Sequence, residues 1–235
     1  MPSPVPKWLR TEEEVRAVPA AFRDHVVDCD PAGRPLAACP HPAKYAPGVP
    51  TLIRRWAGTD DLGDPMAGSG TCRDVCNELG IACLSWDIHD GFDACDPTAF
   101  SAEETFDFIW AHPAYWRQKL YADDPRDLSR APTLVDFLRR YGQFIRNAAK
   151  ALKPGGKLAI LMGDYCDRDA GFVPLTYHTK RLAFDAGLHQ TCTDIIRFSH
   201  GASSSRKVYR SAFIPGLHDV CMVFEKVEAE ARRAV

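Results

Sequence analysis

No apolar run in this 235-residue chain approaches the roughly 20 residues that a helix needs to cross a bilayer. A membrane span is therefore not expected. The start, Met1-Pro2-Ser3-Pro4-Val5-Pro6, lacks the apolar stretch of a secretory signal, so the expected location is the cytoplasm. Charge of one sign is lacking too: 29 Lys and Arg against 31 Asp and Glu leave a net charge of −2. Such a balance gives no global attraction for a polyanion, and any nucleic-acid surface has to be local. Knuckle spacing is missing as well. Cys29, Cys39 and His41 form one metal-like group, but the gap between the cysteines exceeds the about two to four intervening residues of a zinc knuckle, so no metal is expected. The nine cysteines read as reduced thiols, with Cys72 and Cys76, four apart on one predicted helix face, as small buried hydrophobes.

What is present is an ordinary globular composition, 46% hydrophobic and 26% charged, at a length that suits one α/β domain. Residues 1–40 read as an extension around a short helix, Thr11 to Val18, with Glu14 completing a capping box and Pro19 ending it. Residues 41–226 read as the domain and 227–235 as a charged tail. Within the domain, strands ending at Asp64, and spanning Ile81 to Trp86, Phe106 to Ala111 and Lys157 to Met162, alternate with helices over Gly70 to Leu79, Thr133 to Leu152 and Leu175 to Ala186. Lys153-Pro154-Gly155-Gly156 is expected to stop the long helix, and Val220 to Phe224 to form a last strand. This alternation predicts a doubly wound, mostly parallel sheet.

The first strand feeds the turn Asp64-Pro65-Met66-Ala67-Gly68-Ser69-Gly70-Thr71. In an open α/β sheet, ligands bind at the carboxyl ends of strands where the strand order reverses. Gly68 and Gly70 allow close approach of backbone to ligand, and the helix that follows offers unpaired N–H donors to an anionic group. Asp87 lies 23 residues after Asp64, at the end of the second strand, where an acid can accept hydrogen bonds from ribose hydroxyls.

These eight residues resemble the Asp-Pro-Phe-(Ala/Cys)-Gly-Ser-Gly-Thr signature of the S-adenosylmethionine-dependent DNA amino-methyltransferases, with methionine in place of phenylalanine. That family methylates exocyclic amino groups of adenine or cytosine. His41-Pro42-Ala43-Lys44-Tyr45, with Pro50 and Leu52-Ile53 beyond it, is similar to the family's His-Pro-Ala-Lys-Phe segment, which lines the methionine end of the cofactor. Asp107 to Trp110, Tyr121 to Asp124, Asp127-Leu128-Ser129, Lys153 to Gly156, Gly163-Asp164 and Val223 to Lys226 match in type and order, so the similarity covers about residues 41–226. The resemblance implies a Rossmann-like class I methyltransferase fold with a final antiparallel strand. It also implies S-adenosylmethionine as cofactor, held by His41, Pro42, Ala43, Lys44, the turn from Asp64 through Pro65, Met66, Ala67, Gly68, Ser69 and Gly70 to Thr71, and Asp87.

In that family the fourth strand ends in (Asp/Asn/Ser)-Pro-Pro-(Tyr/Phe), and the corresponding residues are His112-Pro113-Ala114-Tyr115. The family's first residue and the carbonyl after it hold the target amino group, while the aromatic residue stacks on a base flipped from the duplex. His112 keeps an acceptor only in its neutral form, Ala114 keeps a carbonyl but loosens the turn, and Tyr115 keeps the stacking face. Trp116 offers a second ring. Two local basic stretches are candidates for nucleic-acid contact: Arg117, Lys119, Arg126, Arg130, Arg139 and Arg140, then Arg197, His200, Arg206, Lys207 and Arg210. Of these, Arg117, Lys119, Arg206, Lys207 and Arg210 are the expected substrate contacts, alongside Tyr115 and Trp116. Three functions follow: a DNA amino-methyltransferase favouring adenine N6, a degenerate relative that binds cofactor or DNA as a partner subunit, and an RNA or other amine methyltransferase. DNA is the expected partner, with a second copy of the chain or a specificity subunit beside it.

Overall fold

A hydrophobic stripe on one helix and a run of inward-facing strand residues build most of the core. The structure, a computed structural model, describes residues 61–100, 102–198 and 218–227. The expected helix Thr11 to Val18, the group Cys29, Cys39 and His41, the segment His41 to Tyr45, and Arg206, Lys207 and Arg210 lie outside the described residues. The described residues fall in the unit Trp56–Val235. No helix among them is long and apolar enough to cross a membrane.

In chain order the elements are β1 (Leu62–Asp64), α1 (Thr71–Leu79), β2 (Cys83–Ser85), β3 (Phe106–Ala111), α2 (Leu134–Ala151) and β4 (Leu152–Met162). There follow β5 (Tyr165–Asp167), β6 (Gly171–Val173), α3 (Leu175–Asp185), β7 (Leu188–Gln190), β8 (Ile195–Phe198) and β9 (His218–Lys226). The main sheet runs β2-β1-β3-β4-β9-β7, with β8 also paired to β9. β1, β2, β3 and β4 pair in parallel, and β9 is antiparallel to each of its neighbours. This is the doubly wound, mostly parallel sheet that the alternation predicts, with the final antiparallel strand that the resemblance implies.

Both faces of the sheet are buried, and the register shows why. Leu158 faces Phe224, Ile160 faces Met222 and Met162 faces Val220, all within the main cluster, while Ala159 pairs with Val223 and Leu161 with Cys221 on the other face. Two-sided burial suits strands that read as continuous apolar runs. Helix α2 starts where Thr133 Oγ1 accepts the Asp136 N–H at 3.1 Å, and it packs Phe137, Tyr141, Phe144, Ile145 and Ala148 on one stripe. Each of the large side chains contributes about 1.5 to 3 kcal/mol on burial. Tyr141 keeps its hydroxyl satisfied by Thr179 on α3, at 3.0 Å.

The end of α2 differs from the expected helix-to-strand turn. Helix α2 stops at Ala151, and Leu152 already pairs with Phe106, after which the register jumps so that Phe108 pairs with Lys157. Lys153 to Gly156 therefore form a bulge inside β4. Pro154 has no N–H for a helix or a ladder, and Gly155 takes a φ of 76° that glycine accepts without strain. The hairpin β5–β6 and the short strands β7 and β8 were not expected from sequence.

Strand order fixes the functional geography. From β1 the chain passes to β2 on one side, and later to β3 on the other, so the order reverses at β1. The crevice lies where the carboxyl ends of β1 and β3 diverge. Asp64 ends β1, and His112 follows the last residue of β3.

Candidate active site

The turn after β1 is shaped by two left-handed glycines. Gly68 has φ 53° and Gly70 has φ 78°, and Gly70 is the N-cap of α1. A Cβ on Gly70 would lie 2.5 Å from the Arg73 guanidinium, whereas one on Gly68 would meet nothing within 4 Å. No side chain caps α1, so its amino end keeps backbone N–H groups without a side-chain acceptor.

The turn is fastened to the end of β2. Ala67 N–H donates to the Trp86 carbonyl at 3.0 Å, and Trp86 N–H donates to the Asp64 carbonyl at 2.9 Å. Gly68 N–H donates to Asp87 Oδ2 at 2.8 Å, so the two parts of the expected cofactor site are joined directly. Asp87 Oδ1 accepts the His89 N–H at 3.1 Å and contacts His89 Nδ1 at 2.5 Å. Burial alone would raise the Asp87 carboxyl, but the His89 backbone, the His89 ring and the Gly68 N–H hold it below the usual carboxylate range. The same contact raises His89 above the usual imidazole range. Each carboxylate oxygen has a second acceptor site, and the His89 side chain is 59% exposed, so it can turn outward and leave room for a ribose diol.

Asp64 is fully buried. Its Oδ1 accepts the Met66 N–H at 3.3 Å, while Oδ2 has no hydrogen-bond partner. Burial, followed by the neighbouring Cys83, pushes its carboxyl well above the usual range. Ser69 and Thr71 hydroxyls lie 3.2 Å apart, and Thr71 is buried. Pro65, Met66 and Ala67 complete the turn, with Met66 packed against the main core.

At the end of β3, His112 Nε2 and the Tyr115 hydroxyl lie 3.2 Å apart, with ring centroids at 5.7 Å. Pro113 and Ala114 form the link between them, and Tyr115 is partly buried beside the core. Gly163, just after β4, sits behind Tyr115: a Cβ there would come within 3.1 Å of the Tyr115 ring and would clash with Asp219. The resemblance included Gly163 with Asp164 but gave it no role, and nothing in the sequence marked Asp219 or His89, because strand pairing and a local cap bring them to the site.

Trp116 differs from its expected role. It is 3% exposed, its indole N–H donates to the Ala131 carbonyl at 2.9 Å, and its ring belongs to the core instead of an open surface. Its φ of 45° is a left-handed conformation that a bulky residue adopts only when its surroundings hold it there. The basic stretch beyond it is internally neutralised. Arg117 pairs with Asp167 at 2.6 Å, Arg126 with Asp124 at 2.7 Å, Arg130 with Asp123 at 3.0 Å, Arg139 with Asp136 at 3.5 Å and Arg140 with Asp93 at 3.1 Å. Lys119 lies over the Tyr121 ring at 4.9 Å. A run that reads as a positive patch in sequence is thus a set of ion pairs in space.

Fold and site together define an α/β domain whose glycine turn, Asp87 and His112 to Tyr115 follow the carboxyl ends of β1, β2 and β3 around the reversal of strand order. No family model matches the chain, and no curated protein matches it. Among solved structures, the chain is similar to a protein of Thermus thermophilus provisionally named a DNA modification methylase. The two share 20% identity over 58% of this chain and 51% of that one, at a TM-score of 0.43. It is also similar to TrmN from Thermus thermophilus, with 18% identity, 76% and 48% coverage and a TM-score of 0.46. A third is the 1,6-didemethyltoxoflavin-N1-methyltransferase of Burkholderia thailandensis, with 15% identity, 79% coverage of each chain and a TM-score of 0.48. The chain spans about half the length of the first of these.

Proposed function

We propose that this protein is an S-adenosylmethionine-dependent methyltransferase acting on an exocyclic amino group of a DNA base, adenine N6 ahead of cytosine N4. The observation that carries the reading is the Gly-Ser-Gly turn fastened to Asp87 at the end of β2, beside His112 to Tyr115 at the end of β3. The residues fit the cofactor. The uncapped start of α1 suits its carboxylate, Asp87 suits its ribose, and the open space at Gly68 leaves room for close approach. When bound, S-adenosylmethionine supplies an electrophilic methyl group.

Within this reading Tyr115 stacks on the base, and neutral His112 accepts a hydrogen bond from the amino group, which directs the nitrogen lone pair away from the ring. For that, the His112 nitrogen that faces Tyr115 has to share or exchange its contact with the phenol. The carbonyl of Pro113 is a second acceptor at the same strand end. Because the arginines from Arg117 to Arg140 are already paired, the proposed DNA surface draws on residues elsewhere or on a partner, either a second copy of the chain or a specificity subunit.

The direct test combines the purified protein and isotope-labelled cofactor with unmodified DNA, with RNA, or with neither, and identifies the methylated base by mass spectrometry. Labelled adenine in DNA is the expected result. Cofactor binding without transfer to any nucleic acid overturns the enzyme reading in favour of the second one, a protein that keeps the site as a regulatory or partner subunit. That second reading is favoured by His112 and Ala114 standing where the family has an acid or amide and a proline. Transfer to RNA alone would redirect the substrate.

Two variants refine the assignment. Gly163→Ala is expected to displace Asp219 and the Tyr115 ring, the groups its Cβ would meet, and so to lower the rate of transfer more than the cofactor affinity. Equal loss of both would show that the substitution acts on the fold. The paired change His112→Asp with Ala114→Pro is expected to raise base methylation, by analogy with the family tetrapeptide. Loss of an activity present in the wild type would instead give His112 a chemical role of its own.

A further inference from the structure

Apolar packing explains two small buried side chains on one face of α1, but it does not explain why a third sulfur converges on them from another element. The thiols of Cys72 and Cys76 on α1 and Cys83 at the start of β2 all lie within 4.8 Å of one another. We propose that these three cysteines form a thiolate site for a divalent thiophilic cation, zinc first among them, which staples α1 to β2 beneath the glycine turn.

The spacing follows from the fold. Cys72 and Cys76 are one helical turn apart and share a face, and β2 runs parallel to β1 with Cys83 paired to Leu62. Zinc–sulfur bonds of about 2.3 Å place tetrahedral sulfurs roughly 3.8 Å apart, so small side-chain rotations close the observed cluster onto an ion. Access is available as well. Cys72 and Cys76 are fully buried, but Cys83 is only partly covered and opens the cluster to solvent.

Charge selects the type of ion. On binding, each protonated thiol releases its proton to solvent, and three thiolates with a divalent cation leave one net negative charge; a monovalent cation would leave two. The fourth position is open to water arriving past Cys83, the least buried of the three. A site with this ligand set is structural. It ties α1 to the start of β2, the two elements that the Gly68 to Asp87 hydrogen bond also links, and it stands whether or not the site takes S-adenosylmethionine.

The experiment uses the full-length protein, reduced and stripped with a chelator. Titration with cadmium should produce ultraviolet thiolate-to-metal charge transfer that saturates at about one equivalent per chain in a Cys29→Ser, Cys39→Ser background, which removes the other metal-like group. Cys83→Ser, at the least buried of the three positions, should abolish it. Without any variant, zinc should protect Cys83 from alkylation, read by peptide mass spectrometry, and a chelator should restore it, while exposed Cys166 reacts equally in both states. The proposal is overturned if no charge-transfer band forms, if the band survives Cys83→Ser, or if zinc leaves Cys83 alkylation unchanged.

Discussion

Asp87→Ala is expected to weaken S-adenosylmethionine binding by roughly 1 to 3 kcal/mol, about five- to 150-fold, measured by titration calorimetry. Two losses combine in that figure. The proposed acceptor for the ribose hydroxyls disappears, and so does the carboxylate oxygen that receives the Gly68 N–H at 2.8 Å and fixes the turn. Asp87→Asn keeps one oxygen and should fall between wild type and Asp87→Ala. An unchanged affinity in Asp87→Ala would remove Asp87 from the cofactor site.

The same contact has a pH signature. Asp87 is held below the usual carboxylate range, so its contribution to stability is present above about pH 3.9 and is lost as the pH falls through its lower folded value. His89 is held above the usual imidazole range by Asp87, so its share is fully present below about pH 6.5 and is lost as the pH rises through its raised value. Thermal melts of wild type and His89→Ala should therefore differ most between these limits and converge at alkaline pH. A difference that grew with rising pH would reverse the assigned roles.

Asp127→Ala is expected to cost about 3 kcal/mol or more, lowering the melting temperature by roughly 6 to 12 °C. Asp127 is 5% exposed and serves as a hub for the loop that follows His112 to Tyr115. It accepts the Ala122 N–H and the Ser129 N–H, each at 2.8 Å, the Ser129 hydroxyl at 2.6 Å and the Tyr121 N–H at 3.3 Å. Alanine would leave these donors without their acceptor, and Ser129 is itself fully buried. The loop also carries Ala131, whose carbonyl holds the Trp116 indole in place despite the left-handed backbone there. Loss of the near-ultraviolet signal of Trp116 should therefore accompany the destabilisation. A shift of less than about 2 °C in a calorimetric scan would mean that the loop is held by other contacts.

The elements that were legible in sequence are those with a strong local cause. Helix α2 has its Thr133 cap and a regular apolar stripe, α1 lies between glycines at both ends, and β3 is a six-residue run of largely buried side chains. The turn was legible because eight consecutive positions carry it. Strands β5 to β8, each of three or four residues, were not: β5 and β6 are too short to carry a pattern, and β7 and β8 pair with β9, as Leu188 does with Lys226, far away in sequence. The bulge from Lys153 to Gly156 was read as a turn because proline and glycine announce a break without saying whether a ladder resumes on both sides of it. The basic stretch misled for a similar reason: composition counts charges, and only the fold shows that Asp167 and Asp93 are placed to neutralise Arg117 and Arg140.

The central claim is that the turn from Asp64 to Thr71, fastened to Asp87, is the S-adenosylmethionine site. Amide hydrogen exchange with and without the cofactor tests it most directly, because the first-turn N–H groups of α1 and Asp87, which holds the Gly68 N–H, are the proposed contacts. The account predicts slowed exchange in peptides covering residues 64–73 and 86–91 on adding S-adenosylmethionine or S-adenosylhomocysteine, and none on adding ATP at the same concentration. Unchanged exchange in those peptides at saturating cofactor, or protection confined to other parts of the chain, would contradict it.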